Sequence, residues 1–139
     1  MGADHLLNSS SEDFKSEIDK ITEGNGVGVI VEASGVSSML TGAFNLLRRG
    51  GKIVVIGLPK ADIVIKDPMR NFLIKAVTVK SVYGRKIFHT WKESERAVAE
   101  KKVRSELLVT HKIPLTKFQE AYDLLCSGKA MKILIDPSK

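Results

Sequence analysis

Between residues 27 and 56 the sequence runs strand, helix, strand with almost no connecting chain, and few architectures can accept that order. Residues 27–33, V-G-V-I-V-E-A, are short, apolar and rich in β-branched side chains, as expected of a strand buried on both faces of a parallel sheet. Ser34-Gly35 ends the run. Over residues 38–49, Met39, Leu40, Ala43, Phe44, Leu46 and Leu47 form a wide apolar stripe at helical spacing, closed by Gly50-Gly51. A second β-branched run, residues 52–56, follows at once and stops at Gly57-Leu58-Pro59. This is a βαβ unit of a doubly wound α/β sheet, with right-handed crossovers expected.

The flanking segments extend the pattern. Residues 5–8 form a short apolar piece, read as an opening strand. Ser9, Ser10 and Ser11 then precede Glu12 and Asp13, hydroxyl caps followed by acids at the positive end of a helix dipole. Phe14, Ile18 and Ile21 carry that helix to Gly24. Residues 63–65 read as a short strand, Asp67-Pro68 as a helix start, and residues 77–82 as another strand ending at Tyr83-Gly84. A long charged helix is expected over residues 86–102 and an extended piece over 107–109. Thr116 is expected to cap a helix bearing Phe118, Ala121, Leu124 and Leu125 that Gly128 ends, and residues 133–135 form a last strand. No linker or repeat interrupts the chain, so residues 1–139 are expected to form one domain.

Composition narrows the chemistry. A chain of 139 residues with 43% hydrophobic content can bury a real core. No apolar run approaches the roughly 20 residues that span a bilayer, and the first residues carry no leader pattern, so a soluble, cytoplasmic protein is expected. Cys126 is the only cysteine; it excludes an intrachain disulfide and a cysteine-built zinc cluster, and reads as a semi-buried helix residue. The formal charge of +6 raises the question of an anionic partner. Lys15, Lys20, Arg48, Arg49, Lys66, Lys75, Lys80, Arg85, Lys86, Lys101 and Lys102 are scattered along the sequence without interleaved aromatics, which reads as solvated surface charge rather than a nucleic-acid site. His5, His89 and His111 are too far apart, and too poor in Cys or Glu neighbours, for a metal reading.

In an open parallel sheet, ligands bind beyond the carboxyl ends of the strands. That directs attention to Ser34-Gly35, Gly57-Leu58-Pro59 and Tyr83-Gly84-Arg85. Each has a glycine that permits close backbone approach, although glycine after a strand is equally an ordinary turn residue. The dinucleotide fingerprint G-x-G-x-x-G is absent. Gly24-Asn25-Gly26-Val27-Gly28 precedes a strand instead of following one, so it reads as a helix-to-strand turn.

Several stretches together resemble the zinc-type medium-chain alcohol dehydrogenases over nearly the whole length. The opening G-A-D-H-L-L-N is similar to the family's third-strand region, V-I-V-E-A-S-G to its fourth strand and turn, and R-R-G-G-K-I-V-V-I-G-L-P to its fifth. V-T-V-K-S-V-Y-G-R-K-I-F-H-T-W and L-L-V-T-H-K-I-P-L-T-K-F-Q-E-A-Y-D-L-L-C-S-G-K-A-M-K-I-L-I-D-P complete the match. Within the family, the pairing of Y-G-R…T-W with T-H-K-I-P-L resembles the threonine 3-dehydrogenases. The resemblance implies a partial Rossmann-like sheet, the second half of a coenzyme domain plus a carboxy-terminal closing segment. It implies NAD as cofactor and a small-molecule alcohol as substrate in the intact enzyme. Ile56, Gly57 and Leu58 would border the nicotinamide side, Val82 and Tyr83 would contact the nicotinamide, and Ser34 and Gly35 would line the channel beside it. Lys132 would meet the pyrophosphate and Arg85 the substrate carboxylate.

The departures from the family are large. Its catalytic-zinc domain, phosphate-binding glycines and ribose-binding acid have no counterpart in these residues, so no catalytic residue or zinc ligand is assigned and the chain alone is expected to be inactive. Other polyol or secondary-alcohol dehydrogenases, or a non-catalytic remnant that associates through its sheet, are the competing readings. In the strand order 3-2-1-4-5-6, the neighbours of residues 5–8 and of residues 27–33 are both missing. An open edge of that kind is adhesive, so another strand, another chain or a second copy is expected to pair along residues 27–33.

Overall fold

The computed structural model describes residues 2–138. They divide into two compact units, one of Asp4–Gly84 and one of residues 85–138 together with residues 2–3.

In the first unit helix α1 (Phe14–Ile21) leads to strand β1 (Val27–Glu32), helix α2 (Ser37–Leu46), strand β2 (Leu47–Val55), a π-helical turn (Met69–Leu73) and strand β3 (Thr78–Ser81). The strands form a parallel sheet in the order β1-β2-β3. β2 leaves α2 without a loop. Leu47 pairs with Val27, and the next match is Lys52 with Val29, so Arg48–Gly51 bulge out of the ladder. Glycine makes the bulge possible: Gly50 has φ +67°, and a Cβ on Gly51 would lie 2.8 Å from the Arg48 carbonyl oxygen. Regular pairing thus starts at Lys52, where the sequence places the strand.

One face of the sheet buries the core. Leu40, Ala43 and Phe44 of α2 close on Leu47 and Ile53, with Ile30, Val55, Ile65, Phe72 and Val77 packed around them. Phe44 meets Phe72 edge to face at 6.2 Å. Ile53 is fully buried, and each such side chain contributes about 1.5–3 kcal/mol.

The second unit holds helix α3 (His89–Ala99), strand β4 (Val109–Pro114), helix α4 (Phe118–Cys126) and strand β5 (Lys132–Asp136). β4 and β5 pair in parallel as a sheet of their own. The α/β class with parallel sheets is as the sequence indicates, while the last strand joins β4 and not the doubly wound sheet.

Several local expectations are corrected. Residues 5–8 are not a strand: no neighbouring strand among the described residues takes up their backbone groups, and a strand exists only through such pairing. Residues 63–65 are irregular because this stretch bonds to α2 side chains, with Val64 N–H on Thr41 Oγ1 at 3.3 Å and Ala61 N–H on Ser37 Oγ at 3.1 Å. The helix expected from residue 86 begins only at His89, after Phe88 at φ +64°. Leu107 and Leu108 lie in a 3-10 turn, and Lys117, not Thr116, precedes α4. Cys126 is exposed; the inward stripe of α4 runs through Ala121 and Leu124, and position 126 falls on the opposite side.

Candidate functional site

Strands β1 and β2 end side by side, and one buried side chain ties their tips together. Glu32, the last residue of β1, is 6% exposed. Its Oε1 accepts from the Ser34 N–H at 2.7 Å, the Ser34 hydroxyl at 2.5 Å and the Gly35 N–H at 2.9 Å. Its backbone carbonyl accepts from Ile56 N–H at 2.8 Å and Gly57 N–H at 3.0 Å. The Ser34 hydroxyl, with the two backbone donors behind it, holds the Glu32 carboxyl below the ordinary carboxylate range against the opposing effect of burial. Oε2 has no hydrogen-bond partner among the described residues.

The glycines at these tips serve the packing of one turn on the other. A Cβ on Gly57 would run into the Gly35 amide nitrogen and the Glu32 carboxylate, and one on Gly35 would sit 2.7 Å from the Leu58 carbonyl oxygen. Only two bare backbones can approach so closely. Beyond β3, the Val82 N–H donates to the Val55 carbonyl at 2.8 Å, so the third tip is pinned to the second.

The structure therefore brings Ser34, Gly35, Ile56, Gly57, Leu58 and Val82 to one end of one sheet, with Tyr83 next to Val82 and 86% exposed. The chemistry of that surface is one-sided. The N–H groups of Ser34, Gly35, Ile56, Gly57 and Val82 are all consumed internally. The carbonyls of Ile56, Gly57, Leu58 and Val82 accept no hydrogen bond among the described residues. Such a floor suits a ligand that donates hydrogen bonds, for example a carboxamide, and offers little to a phosphate.

Arg85 and Lys132 belong to the other unit. The Arg85 guanidinium lies 5.3 Å from the centre of the Trp91 ring, which itself meets Phe88 edge to face at 6.0 Å. Lys132 is exposed at the start of β5, with no carboxylate in ion-pair range among the described residues. Among the histidines, His111 Nδ1 lies 3.0 Å from Thr110 Oγ1. No three His, Cys, Asp or Glu side chains among the described residues come together as a metal site, so the residues present do not fit a zinc ion.

Sequence reasoning passed over Glu32. The signal was present: an acid inside an apolar β-branched run destined for burial needs a set of donors, and Ser34-Gly35 immediately downstream supplies it.

Beside the free edge of β1, an apolar groove of about 410 Å³ runs between α1 and α2, lined by Phe14, Ile18, Val31, Met39, Ala43 and Leu46. No strand pairs along that edge among the described residues.

Comparison with known proteins places this geometry. Residues 1–100 match the family model described as zinc-binding dehydrogenase. The chain is 32% identical over 135 residues to an L-threonine 3-dehydrogenase of Pyrococcus furiosus, covering 96% of this chain and 38% of the relative. Among solved structures, an alcohol dehydrogenase of Thermotoga maritima superposes with a TM-score of 0.78 at 32% identity, covering 96% of this chain and 38% of that one. The 2R,3R-butanediol dehydrogenase of Bacillus subtilis superposes with a TM-score of 0.74 at 27% identity, covering 95% and 37%. The chain spans about 39% of the length of the curated relatives it matches.

Proposed function

Because the chain belongs to the zinc-binding dehydrogenase family, we propose that its first unit is the latter half of a coenzyme domain and floors the nicotinamide side of an NAD site. The observation that carries this reading is the row of free carbonyls at Ile56, Gly57, Leu58 and Val82. They are acceptors placed where the two tips are held rigid by Glu32, and a nicotinamide carboxamide is a planar donor of matching type. Val82 and the exposed Tyr83 contribute apolar surface for the ring, and Ser34 and Gly35 line the adjoining channel. NAD would supply the hydride acceptor; the residues of this chain bind and orient it.

The intact protein oxidises a secondary alcohol to a ketone on this reading, and the β-hydroxyl of L-threonine is the preferred substrate. The support is the set of relatives named L-threonine 3-dehydrogenase, at 26–32% identity. Lys132 is assigned to the pyrophosphate and Arg85 to the substrate carboxylate by resemblance, supported by the exposure of both cations. A second reading, oxidation of another vicinal diol or polyol, has the butanediol dehydrogenase likeness in its favour. Comparing L-threonine with 2,3-butanediol and sorbitol as substrates of the intact protein separates the two.

Beyond β2, β1 has no second neighbour among the described residues. The groove between α1 and α2, apolar and open along a strand edge, fits a parallel strand with one apolar face, supplied by the part of the protein that its relatives carry and these residues do not, or by a second copy. Calorimetric titration with NAD tests the coenzyme reading. Saturable binding in the micromolar range supports it, and no heat of binding turns the assignment toward a non-catalytic remnant.

A further inference from the structure

The amino ends of the same strands gather cations that are far apart in the sequence. Lys15 of α1, Arg48 and Arg49 of the β2 bulge, Arg70 of the π-helical turn and Lys75 before β3 surround one cleft of about 550 Å³, in which Asp19 is the only carboxylate among the described residues. Asp19 is already paired with Lys15 at 2.5 Å. Arg70 has a long ion pair with Asp67 at 3.6 Å. The guanidinium groups of Arg48 and Arg49 form no ion pair and donate no hydrogen bond among the described residues, and both also line an adjoining cleft with Thr22, Gly24, Asn25 and Gly26.

Two features show that the arrangement is shaped. A Cβ on Gly28 would lie 3.2–3.4 Å from the Arg48 guanidinium, so the bare glycine leaves the space that group occupies. Lys75 is half-buried and donates to the carbonyls of Phe44 and Asn45 at 2.9 and 3.1 Å, which fixes its ammonium at the mouth of α2. Burial, and then the nearby Lys15, push its pKa below the ordinary lysine value. The negative end of the α2 dipole accounts for one such cation. It leaves Arg48 and Arg49 without a counter-charge among the described residues and Arg70 with only its long pair to Asp67, and gathering like charges costs free energy that an anion returns.

We propose that this cleft binds a small oligophosphate anion. Its volume suits a small molecule, and planar guanidinium forks match phosphate oxygens two at a time. The cleft stands at the opposite end of the sheet from the coenzyme-facing tips and does not depend on them.

The test is calorimetric titration of the full chain with inorganic tripolyphosphate at low ionic strength. Saturable binding with one site per chain is expected. Replacing Arg48→Ser together with Arg49→Ser weakens it by about tenfold or more, while Lys112→Ser with Lys129→Ser, which removes equal charge from the other unit, changes it by less than about twofold. Circular dichroism checks that the arginine pair variant is folded; if it is not, Arg70→Gln, outside the sheet, takes its place with a loss of about threefold. Absence of saturable binding, or equal losses from the two paired variants, overturns the proposal.

Discussion

Gly57 has no room for a side chain because the buried carboxylate of Glu32 lies against it. The same carboxylate, through Oε1, holds Ser34 and Gly35 on the neighbouring turn. A packing constraint and a charge are thereby joined at the one place where three strand tips meet.

Gly57→Ala is expected to destabilise the first unit by about 2 kcal/mol or more, since the new methyl group meets backbone and a fixed carboxylate instead of a flexible chain end. Denaturant unfolding checks this. Gly84→Ala is the companion control: Gly84 has positive φ, +69°, which Gly57 does not, and its Cβ would meet nothing within 4 Å, so it costs only the backbone strain of about 1 kcal/mol. Equal losses for the two variants contradict the clamp.

The acid limb of stability should carry the signature of Glu32. Its folded pKa is lowered, chiefly by the Ser34 hydroxyl, so its contribution is complete above the ordinary carboxylate value and is lost as pH falls through the lower folded value. Glu32→Gln is expected to cost about 1–3 kcal/mol at neutral pH and to flatten the fall in stability toward acid. Unfolding free energies measured from neutral to strongly acidic pH give the comparison, and an unchanged slope in the variant removes Glu32 from the account.

The strand–helix–strand core was legible because it rests on local pattern: β-branched runs at Val27–Glu32 and Lys52–Val55, an apolar stripe between them, and glycines where the backbone needed them. What failed depended on partners. Residues 5–8 have strand-like composition and no neighbour among the described residues to pair with, and residues 63–65 found hydroxyls of α2 in place of a ladder. The tips Ser34-Gly35 and Gly57-Leu58 could be named as candidates from strand order, yet their glycines could not be divided between ligand approach and turn packing until Glu32 was seen between them. Lys15, Arg48, Arg49 and Lys75 looked scattered along the chain, and only the folded sheet brings them, together with Arg70, to one cleft.

The edge of β1 is expected to make the isolated chain self-associate. Val29 and Val31 are 59% and 58% exposed, no proline interrupts the strand, and its one charge, Glu32, is tied to Ser34 and Gly35 in the turn that follows. Sedimentation of the chain should show dimers or larger species growing with concentration, and Val29→Lys should shift the distribution toward monomer without loss of helicity. A concentration-independent monomer for the unaltered chain contradicts this reading of the edge.

The coenzyme floor itself is read out by amide NMR of the uniformly labelled chain titrated with NAD. Saturable shifts confined to Ser34–Val36, Ile56–Leu58 and Val82–Gly84 are the expected result, with Gly24–Gly28 at the other end of the sheet unmoved. Shifts that avoid the three strand tips, or none at all at millimolar NAD, contradict it.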